Sequence, residues 1–317
     1  MIGRSSRRER RERVQAPRDP RIMYGIFAGV LLLLVCLAGW VYREAQRSLV
    51  FGNPHRFNMV EIGSSGQVDF LSFDPVLRRV FVLPFPPNLS IRSRSVGEYR
   101  MGALYSLGSY GGGSGGEFTR RKVQGFMKVP IPGYLVTGVA ETTTGDLRRG
   151  LWNVLSQKRT NLSALDGAII LARSSSYLWK VATVDDLVRA GVFEQSGSGY
   201  LYHPERLQQY VGTRLFDWGV GSEGVTVAVV NDSGLNGLGN DVADFLTNIG
   251  LDVVAVRSGS GGTTGTIVTI ASHTKEIDSI LVIMKSLFGF TDVRVGSTDQ
   301  YRAQIVVAVG ADAQDLF

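Results

Sequence analysis

The sequence lacks the residues that most often build metal, redox and hydrolytic sites. It contains one cysteine, Cys36, so no intrachain disulfide can form and CxxC metal or redox motifs are excluded. Its three histidines, His55, His203 and His273, stand far apart, and H-E-x-x-H does not occur. We therefore predict no bound metal and no cofactor, and a fold that depends on its hydrophobic core.

Beyond its first 22 residues, the chain also has little net charge. The formal net charge of +6 comes largely from residues 1–22, where eight arginines face three acidic residues, a net of +5. Because +1 remains for the rest of the chain, the pI near 9.5 reflects this tail and gives no sign of a basic nucleic-acid-binding face. The tail itself could bind nucleic acid or anionic lipid, but a role in membrane topology accounts for it without either.

An apolar run without any charge, Met23–Tyr42, follows the tail. As a helix it is long enough to cross the roughly 30 Å hydrocarbon layer, and Tyr24 and Trp40 lie near its ends, where aromatic rings favour the membrane interface. The positive-inside rule places the tail, residues 1–22, in the cytoplasm and the C-terminal bulk outside. A cleaved signal peptide is the alternative, but no clear small-x-small site precedes Glu44, which favours a retained anchor.

The C-terminal third contains alternating strand and helix patterns. Thr226–Val230 is a β-branched apolar run, Asn231–Gly234 has turn composition, and an apolar helical face follows and ends at Gly250. Asp252–Val256 is predicted to be a second, fully buried strand. The remaining predictions are a strand at Gly265–Ala271, a helix at Thr274–Phe288, and strands at Asp292–Val295 and Gln304–Val309. This βαββαββ order predicts a small α/β domain over residues 224–317.

Three glycines follow the first of these strands, and their spacing decides between a cofactor site and a structural turn. A dinucleotide-binding turn needs G-x-G-x-x-G at the start of the helix. Gly234, Gly237 and Gly239 instead give G-x-x-G-x-G, so the tight turn and the close approach to a pyrophosphate come in the wrong order. We predict a structural turn that contains Asn231, Ser233 and these glycines, with no bound dinucleotide.

The same stretch resembles the opening of the LytR C-terminal domain, an extracytoplasmic module of bacterial envelope proteins. In that family a hydrophobic strand is followed by N-G-S-G-x-x-G-x-A, a helix and a G-[FL]-x-V strand. The matching residues here are Asn231, Asp232, Ser233, Gly234, Gly237, Gly239, Gly250, Leu251 and Val253. Asp232 replaces the usual glycine, and Gly239 stands after Leu238 where alanine is common. The resemblance covers about residues 224–310 and implies a location in the cell envelope.

Between the apolar run and this domain, the sequence predicts a second α/β (α+β) region at residues 57–216, flanked by linkers at 43–56 and 217–223. Its predicted strands are Phe57–Ile62, Val68–Asp74, Arg79–Phe85 and Tyr134–Ala140, and its predicted helices are Glu117–Met127, Gly145–Gln157 and Pro204–Phe216. The first three strands form a β-meander, with Gly63–Gly66 as a hairpin turn. The segment Gly108–Gly116 lacks the Lys and Ser/Thr of a phosphate-binding loop and is predicted to be a flexible loop.

This middle region is similar to the catalytic domain of the LytR-CpsA-Psr family, which transfers glycopolymers from a polyprenyl pyrophosphate to peptidoglycan. The family's strand pair reads R-[ST]-D-T-[ILM]-[ML]-x-[ST]-[ILV]-D-P and V-x-[LIM]-[LIV]-S-[IL]-P-R-D. It is matched by residues 68–75 and by Val80, Val82, Leu83 and Pro86. Two later family motifs face Arg100–Tyr105 and Lys128–Gly138. The hydrophobic frame of the family is therefore present.

The polar residues of those motifs are mostly replaced. Gln67 stands at the family's first arginine, and Pro132 stands at a later aspartate. Pro87 and Asn88 stand at its Arg-Asp pair, and proline offers a phosphate neither charge nor an N–H. Because pyrophosphate cleavage needs cations to hold the phosphates and carboxylates to place Mg²⁺, the resemblance with these replacements implies binding without turnover.

Four residues remain as candidates for chemistry: Asp69, Arg100, Asp146 and Arg149. The last two lie in GDLRRGLWN, which faintly resembles the family's D-x-G-R-x-x-R-Q and equally fits a solvated helix face. We expect a membrane-anchored envelope protein that binds peptidoglycan or another cell-wall glycopolymer, a lipid-linked precursor or an envelope protein. The alternatives are an active Mg²⁺-dependent phosphotransferase that uses the four candidates, and a regulator whose arginine tail binds nucleic acid.

Overall fold

A computed structural model describes residues 20–52, 55–63, 65–93, 97–137, 159–288 and 292–317. The arginine-rich tail up to residue 19 lies outside these residues, and so does the predicted helix Gly145–Gln157. Two compact units are present, Met1–Ser48 and Leu49–Phe317.

The first unit contains one long helix, α1, at Pro20–Arg47. Within the described residues it is the one helix long and apolar enough to cross a membrane, and its segment Ile26–Arg47 has a mean hydropathy of 2.1 with none of it buried. Cys36 is exposed on this helix. The helix extends beyond the predicted span Met23–Tyr42 at both ends, and it fits a single-pass anchor.

The second unit is a mixed α/β structure. Its strands are β1 Phe57–Ile62, β2 Val68–Asp74, β3 Arg79–Phe85, β4 Ser90–Ser93, β5 Gly97–Arg100, β6 Gly133–Val136, β7 Leu178–Val181, β8 Phe193–Ser196, β9 Gly199–Tyr202, β10 Thr226–Asn231, β11 Asp252–Ser258, β12 Ile267–Ile270, β13 Val293–Val295 and β14 Ile305–Val309. Its α-helices are α2 Leu104–Ser109, α3 Gly115–Met127, α4 Ala164–Ser176, α5 Val184–Arg189, α6 Pro204–Leu215, α7 Trp218–Gly221, α8 Leu238–Asn248 and α9 Lys275–Phe288. Short 3₁₀ turns lie at Met101–Ala103, Tyr110–Gly112, Asp299–Tyr301 and Ala311–Leu316.

A five-stranded sheet in the order β6-β1-β2-β3-β7 forms the centre of the middle region. The predicted meander β1–β2–β3 is confirmed, because both of its strand pairs are antiparallel. Gly63 N donates to Gln67 O at 2.8 Å, which closes the predicted hairpin turn between β1 and β2. The outer strands β6 and β7 run parallel to their neighbours β1 and β3.

Helices cover both faces of this first sheet. One face packs against α3, α5 and α6, and its buried side chains include Phe70, Leu83 and Phe85. The other face packs against α4 through residues such as Phe73 and Ile170. Strands β1 and β2 are consequently buried along their whole length.

The prediction of a flexible loop at Gly108–Gly116 is wrong. Helix α2 enters this segment, a 3₁₀ turn follows, and α3 begins before the segment ends. A Cβ atom on Gly108 would clash with Phe118, and a Cβ atom on Gly116 would clash with the ring of Tyr134. The glycines therefore serve close packing between α2, α3 and β6, which composition alone does not distinguish from flexibility.

A second five-stranded sheet, in the order β11-β10-β14-β12-β13, lies in the C-terminal third. The elements follow the predicted βαββαββ order, and α8 and α9 pack on one face of the sheet through residues such as Phe245 and Ile280. The prediction that Asp252–Val256 is fully buried is wrong. Strand β11 lies at the sheet edge, where Val254 and Val256 are 43% and 42% exposed. An apolar run predicts a strand but not its place in the sheet.

Specific contacts join the two sheet regions into one compact unit. Lys128, which follows α3, has its Nζ 2.9 Å from Asp241 Oδ1 and 2.6 Å from Asp244 Oδ2, both on α8. Asn248 Nδ2 donates to the carbonyl oxygen of Lys128 at 3.0 Å. Gly125 of α3 packs directly against the backbone of the last 3₁₀ turn. The region that resembles the LytR-CpsA-Psr family is thus fixed against the C-terminal sheet.

Candidate functional site

Four polar residues gather at the end of the first sheet where β1 stops and β2 starts. Glu61, near the end of β1, lies opposite Asp69 of β2 in the antiparallel ladder. Opposing residues in such a ladder have Cβ atoms roughly 4.5–5.5 Å apart, so the two carboxylates are neighbours. Gln67 and Thr137 complete this group, which we call the acidic edge.

Hydrogen bonds within the acidic edge hold both carboxylates in place. Glu61 is 3% exposed and Asp69 is 4% exposed. Gln67 Nε2 donates to Asp69 Oδ1 at 2.8 Å, and Thr137 Oγ1 donates to Glu61 Oε1 at 3.0 Å. Such donors are needed because a buried carboxylate without a partner is costly. Gln67, which replaces the arginine of the family motif, therefore stabilises the buried carboxylate of Asp69.

The described side chains at the acidic edge do not form a metal site by themselves. Proteins usually bind Mg²⁺ through one or two carboxylates together with waters and substrate phosphates. Glu61 and Asp69 match that number, but each already accepts a hydrogen bond from a neighbouring side chain. In the described ranges, no group of three or more His, Cys, Asp or Glu side chains is placed to hold a metal ion.

The segment after β3, where the family carries its Arg-Asp pair, forms a packed turn. The carbonyl oxygen of Pro87 accepts a hydrogen bond from Gly102 N at 2.9 Å. A Cβ atom on Gly102 would lie only 2.9 Å from the Cβ of Pro87, so this contact requires glycine. The side-chain amide of Asn88 donates to the carbonyl oxygen of Ser198. Both residues therefore connect β3 to neighbouring loops and present no cation to a ligand.

The other predicted candidates do not join Asp69 in the described structure. Arg100 is exposed at the end of β5, opposite Ser90 in a separate two-stranded sheet. No hydrogen bond or ion pair connects Arg100 to Asp69 within the described residues. Asp146 and Arg149 belong to residues 138–158, which lie outside the description and follow directly after Thr137 of the acidic edge.

Sequence reasoning missed Glu61, although a signal for it was present. The residue is the one charge in the otherwise apolar or amide-bearing strand FNMVEI, and its burial makes a partner necessary. Its proximity to Asp69 depends on the register of β1 against β2. The turn at Gly63–Gly66 sets that register, so the two acids could have been placed together from the predicted hairpin.

The glycine turn in the C-terminal third is satisfied by its own side chains. Asn231 Oδ1 accepts from Ser233 Oγ at 2.6 Å, and Ser233 Oγ accepts from Leu235 N at 3.0 Å. Asn231 Nδ2 donates to the carbonyl oxygen of Leu235 at 2.8 Å. Gly234 and Gly237 have φ angles of +74° and +77°, a backbone region that favours glycine. The side chains of Asn231 and Ser233 thus bond within the turn.

A Cβ atom on Gly239 would lie 2.9 Å from the Cβ of Asn231, so the start of α8 sits close against the turn. This close approach accounts for a small residue at position 239, where the LytR C-terminal pattern commonly has alanine.

No protein-family model matches the sequence, and no curated protein matches it. Among solved structures, a transcriptional regulator from Enterococcus faecalis aligns with 54% of this chain and 87% of its own, at 10% identity and a TM-score of 0.37. TagT from Bacillus subtilis aligns over 50% of this chain and 89% of its own, at 10% identity and a TM-score of 0.35. TagV from the same organism aligns over 49% and 94%, at 10% identity and a TM-score of 0.33. Values this low assign neither a fold nor a function.

Proposed function

We propose that the protein is a membrane-anchored envelope protein that binds a cell-wall glycopolymer, its lipid-linked precursor or an envelope protein without chemical turnover. The sequence resemblances to the LytR-CpsA-Psr and LytR C-terminal families supply the envelope context. The apolar positions of the family's motifs are retained, which favours a similar binding fold. The polar positions are replaced, which argues against catalysis.

The observation that carries the proposal is the hydrogen bond from Gln67 to Asp69. In the family an arginine at this position would face a phosphate. Here the neutral amide of Gln67 instead donates from Nε2 to Oδ1 of the buried Asp69 carboxylate at 2.8 Å. Pro87 and Asn88 are likewise engaged in turn contacts. Loss of one preorganised contact to a developing negative charge typically costs about 10²–10³ in rate, so several losses together leave little transferase activity.

The proposed topology places the second unit outside the cell. The tail ahead of α1 carries a net charge of +5, and the positive-inside rule retains such a segment in the cytoplasm. Alkaline phosphatase fused after Phe317 is expected to be active, and the same enzyme fused ahead of Met1 is expected to be inactive. An active N-terminal fusion with an inactive C-terminal fusion would refute this orientation, but it would not test the proposed binding role.

The transferase question is tested with the full chain in neutral detergent, a polyprenyl-pyrophosphate-linked glycopolymer, Mg²⁺ and purified peptidoglycan. We expect no release of lipid product, together with saturable binding to the polymer or to peptidoglycan. Release of the lipid product would contradict the proposal. Failure to bind either polymer would direct the search to envelope protein partners.

One observation favours the enzyme alternative, namely the two neighbouring buried carboxylates of the acidic edge. A working phosphotransferase would use Asp69 with Arg100, Asp146 and Arg149, and Asp69→Asn would then abolish product release. Under the binding proposal, Asp69→Asn leaves polymer binding within about twofold of the wild type, because the substituted amide still accepts from Gln67. The same variant therefore separates the two functions.

A further inference from the structure

A basic cavity lies at the opposite end of the first sheet from the acidic edge. It opens between β3, β7 and α6, has a volume of about 190 Å³, and is lined by Arg56, Asp74, Arg79, Lys180 and Arg214 among others. Lys180 pairs with Phe81 in the parallel ladder of β7 and β3, so the two side chains lie on the same face of the sheet. Arg214 approaches from α6, near its C-terminal end.

Among the described residues that line the basic cavity, Asp74 is the one carboxylate, so the positive charge of the cavity is not balanced there. Asp74 is paired with Arg56 at 2.5 Å. Arg79, Lys180 and Arg214 are exposed, and within the part of the chain that the structure describes none of them forms an ion pair. Three like charges around one cavity repel each other and raise the local concentration of anions.

The buried wall of the basic cavity also carries a donor without an acceptor. The Arg56 side chain is 7% exposed. Its Nη1 donates to Ser72 Oγ at 3.0 Å and its Nη2 to Asp74, but Nε–H has no acceptor among the described residues. Because this Nε atom is itself fully buried, it does not face the cavity, and the Arg56 guanidinium contributes positive charge to the cavity wall.

A wider groove of about 720 Å³ adjoins the basic cavity and shares Phe81, Lys180 and Arg214 with it. The rings of Phe81 and Tyr210 stand 6.4 Å apart between centroids, and the Arg214 guanidinium lies 4.5 Å from the Tyr210 ring. The tyrosine therefore holds the guanidinium by a cation–π contact while leaving its N–H donors available. The apolar rings offer a surface to an organic group attached to the anion.

We propose that the basic cavity binds the phosphate group of a phosphate ester whose organic part lies in the adjoining groove. Guanidinium groups bind phosphate oxygens in bidentate fashion, and the ammonium of Lys180 adds a point charge. A phosphate dianion also matches an excess of three cations better than a carboxylate does. This site is separate from the acidic edge, so it does not depend on the proposed function.

The test uses isothermal titration of the full chain in neutral detergent with inorganic phosphate, glycerol phosphate and acetate. Lys180→Gln and Arg214→Gln should each raise the Kd for glycerol phosphate by roughly tenfold, as expected for the loss of one charge-assisted hydrogen bond. Lys275→Gln, an exposed charge removal on α9, is the matched control and should leave the Kd unchanged. The urea midpoint of each variant checks that the fold is retained.

A second arm identifies the source of the phosphate ester. The chain is placed in nanodiscs of phosphatidylcholine, alone or mixed with the phosphate monoester phosphatidic acid, at about 0.15 M salt, where charges farther than about 8 Å away are largely screened. Weaker glycerol phosphate binding in the presence of phosphatidic acid supports a lipid headgroup as the occupant, and equal binding supports a soluble ester. No binding of either phosphate compound, equal affinity for acetate, or a Kd that Lys180→Gln and Arg214→Gln leave unchanged would overturn the proposal.

Discussion

Arg56 and Asp74 form a buried ion pair that links the residue before β1 to the last residue of β2. Arg56 Nη2 lies 2.5 Å from Asp74 Oδ2, and the two side chains are 7% and 8% exposed. Arg56 also donates through its backbone N to Asp217 Oδ2 at 2.7 Å, and through Nη2 to the carbonyl oxygen of Phe216 at 3.2 Å. Burial lowers the pKa of Arg56, although Asp74 and Asp217 partly offset this effect. The guanidinium thus connects the first strands to the segment that precedes the C-terminal sheet.

Asp74→Asn is expected to lower the free energy of unfolding by about 3–5 kcal/mol, because it leaves the buried Arg56 charge without its counter-ion. Asparagine retains an acceptor for the backbone N–H groups of Val76 and Leu77, which bond Asp74 Oδ1 at 3.0 and 2.9 Å. The loss of stability in Asp74→Asn therefore reports the removal of the carboxylate charge rather than the loss of these backbone hydrogen bonds. The double variant Arg56→Met with Asp74→Asn removes both charges and should lose less. Urea denaturation measures both, and a double variant less stable than Asp74→Asn alone would contradict the assignment.

The ion pairs of Lys128 predict a distinct dependence of stability on pH. Burial alone would lower the pKa of Lys128, but hydrogen bonds with Asp244 and Asp241 outweigh it, so the pKa is raised in the folded protein. A group with a raised folded pKa contributes its full stability below its unfolded pKa, about 10.4 for lysine, and loses it as pH rises through the folded pKa. Lys128→Met should therefore cost roughly 1 kcal/mol at pH 7 to 9.

The deficit of Lys128→Met relative to the wild type should shrink above about pH 10.4, because the lysine of the unfolded chain then loses its proton while the folded ammonium, whose pKa is higher, still keeps it. Denaturation midpoints of the two proteins, measured side by side between pH 7 and 11, follow this difference. Lys275→Met, which removes an exposed lysine on α9, is the control. A deficit for Lys128→Met that stays constant to pH 11 would show that packing rather than charge is responsible.

Local patterns predicted the central strands of the first sheet well. The predicted bounds of β1, β2 and β3 coincide with those in the structure, because long buried strands separated by glycine or proline turns give strong local signals. The four-residue strand β7, Leu178–Val181, was missed. Its sequence LWKV is mostly exposed, and it is a strand because it pairs with β3. Such pairing depends on contacts between distant parts of the sequence.

The candidate site was predicted only in part, for a related reason. Asp69 was identified by its place in a motif, whereas Glu61 became apparent through the register that sets it beside Asp69. The basic cavity was not predicted, since Arg79, Lys180 and Arg214 lie on three elements with no shared sequence motif. The net charge of the chain did not indicate the basic cavity, because acidic residues in other parts of the sequence offset these three cations in the count.

Two helical glycines should respond in opposite ways to replacement by alanine. Gly125→Ala in α3 would place a Cβ atom against the carbonyl oxygen of Leu316 and 2.7 Å from the Cα of Phe317, so the variant should lose about 1–3 kcal/mol. Gly212→Ala in α6 meets its nearest neighbour, Asn248 Oδ1, at 3.6 Å, and should gain about 1 kcal/mol from helix propensity. Thermal and urea denaturation measure both variants. A gain for Gly125→Ala would mean that the last 3₁₀ turn does not pack against α3 in solution.

The turn between β2 and β3 contains a strained residue whose replacement should stabilise the protein. Arg78 is exposed and has a φ angle of +48°, in a left-handed region that costs a non-glycine residue about 1–2 kcal/mol. Arg78→Gly removes this cost but increases the entropy of the unfolded chain by an equivalent of about 0.4–1 kcal/mol, which leaves a net gain of roughly 0.5–1 kcal/mol. The hydrogen bond from Leu178 N to the carbonyl oxygen of Arg78 involves backbone atoms and is retained.

The matched control for Arg78→Gly is Arg79→Gly, one residue further on. Arg79 is also exposed but belongs to β3, where glycine is expected to cost about 0.5–1 kcal/mol. Arg78→Gly is therefore predicted to raise the stability of the protein, whereas Arg79→Gly is predicted to lower it. Because both variants lose one positive charge, a general effect of charge cannot produce this difference. Urea midpoints that fall for both variants would show that the turn adopts another conformation in solution.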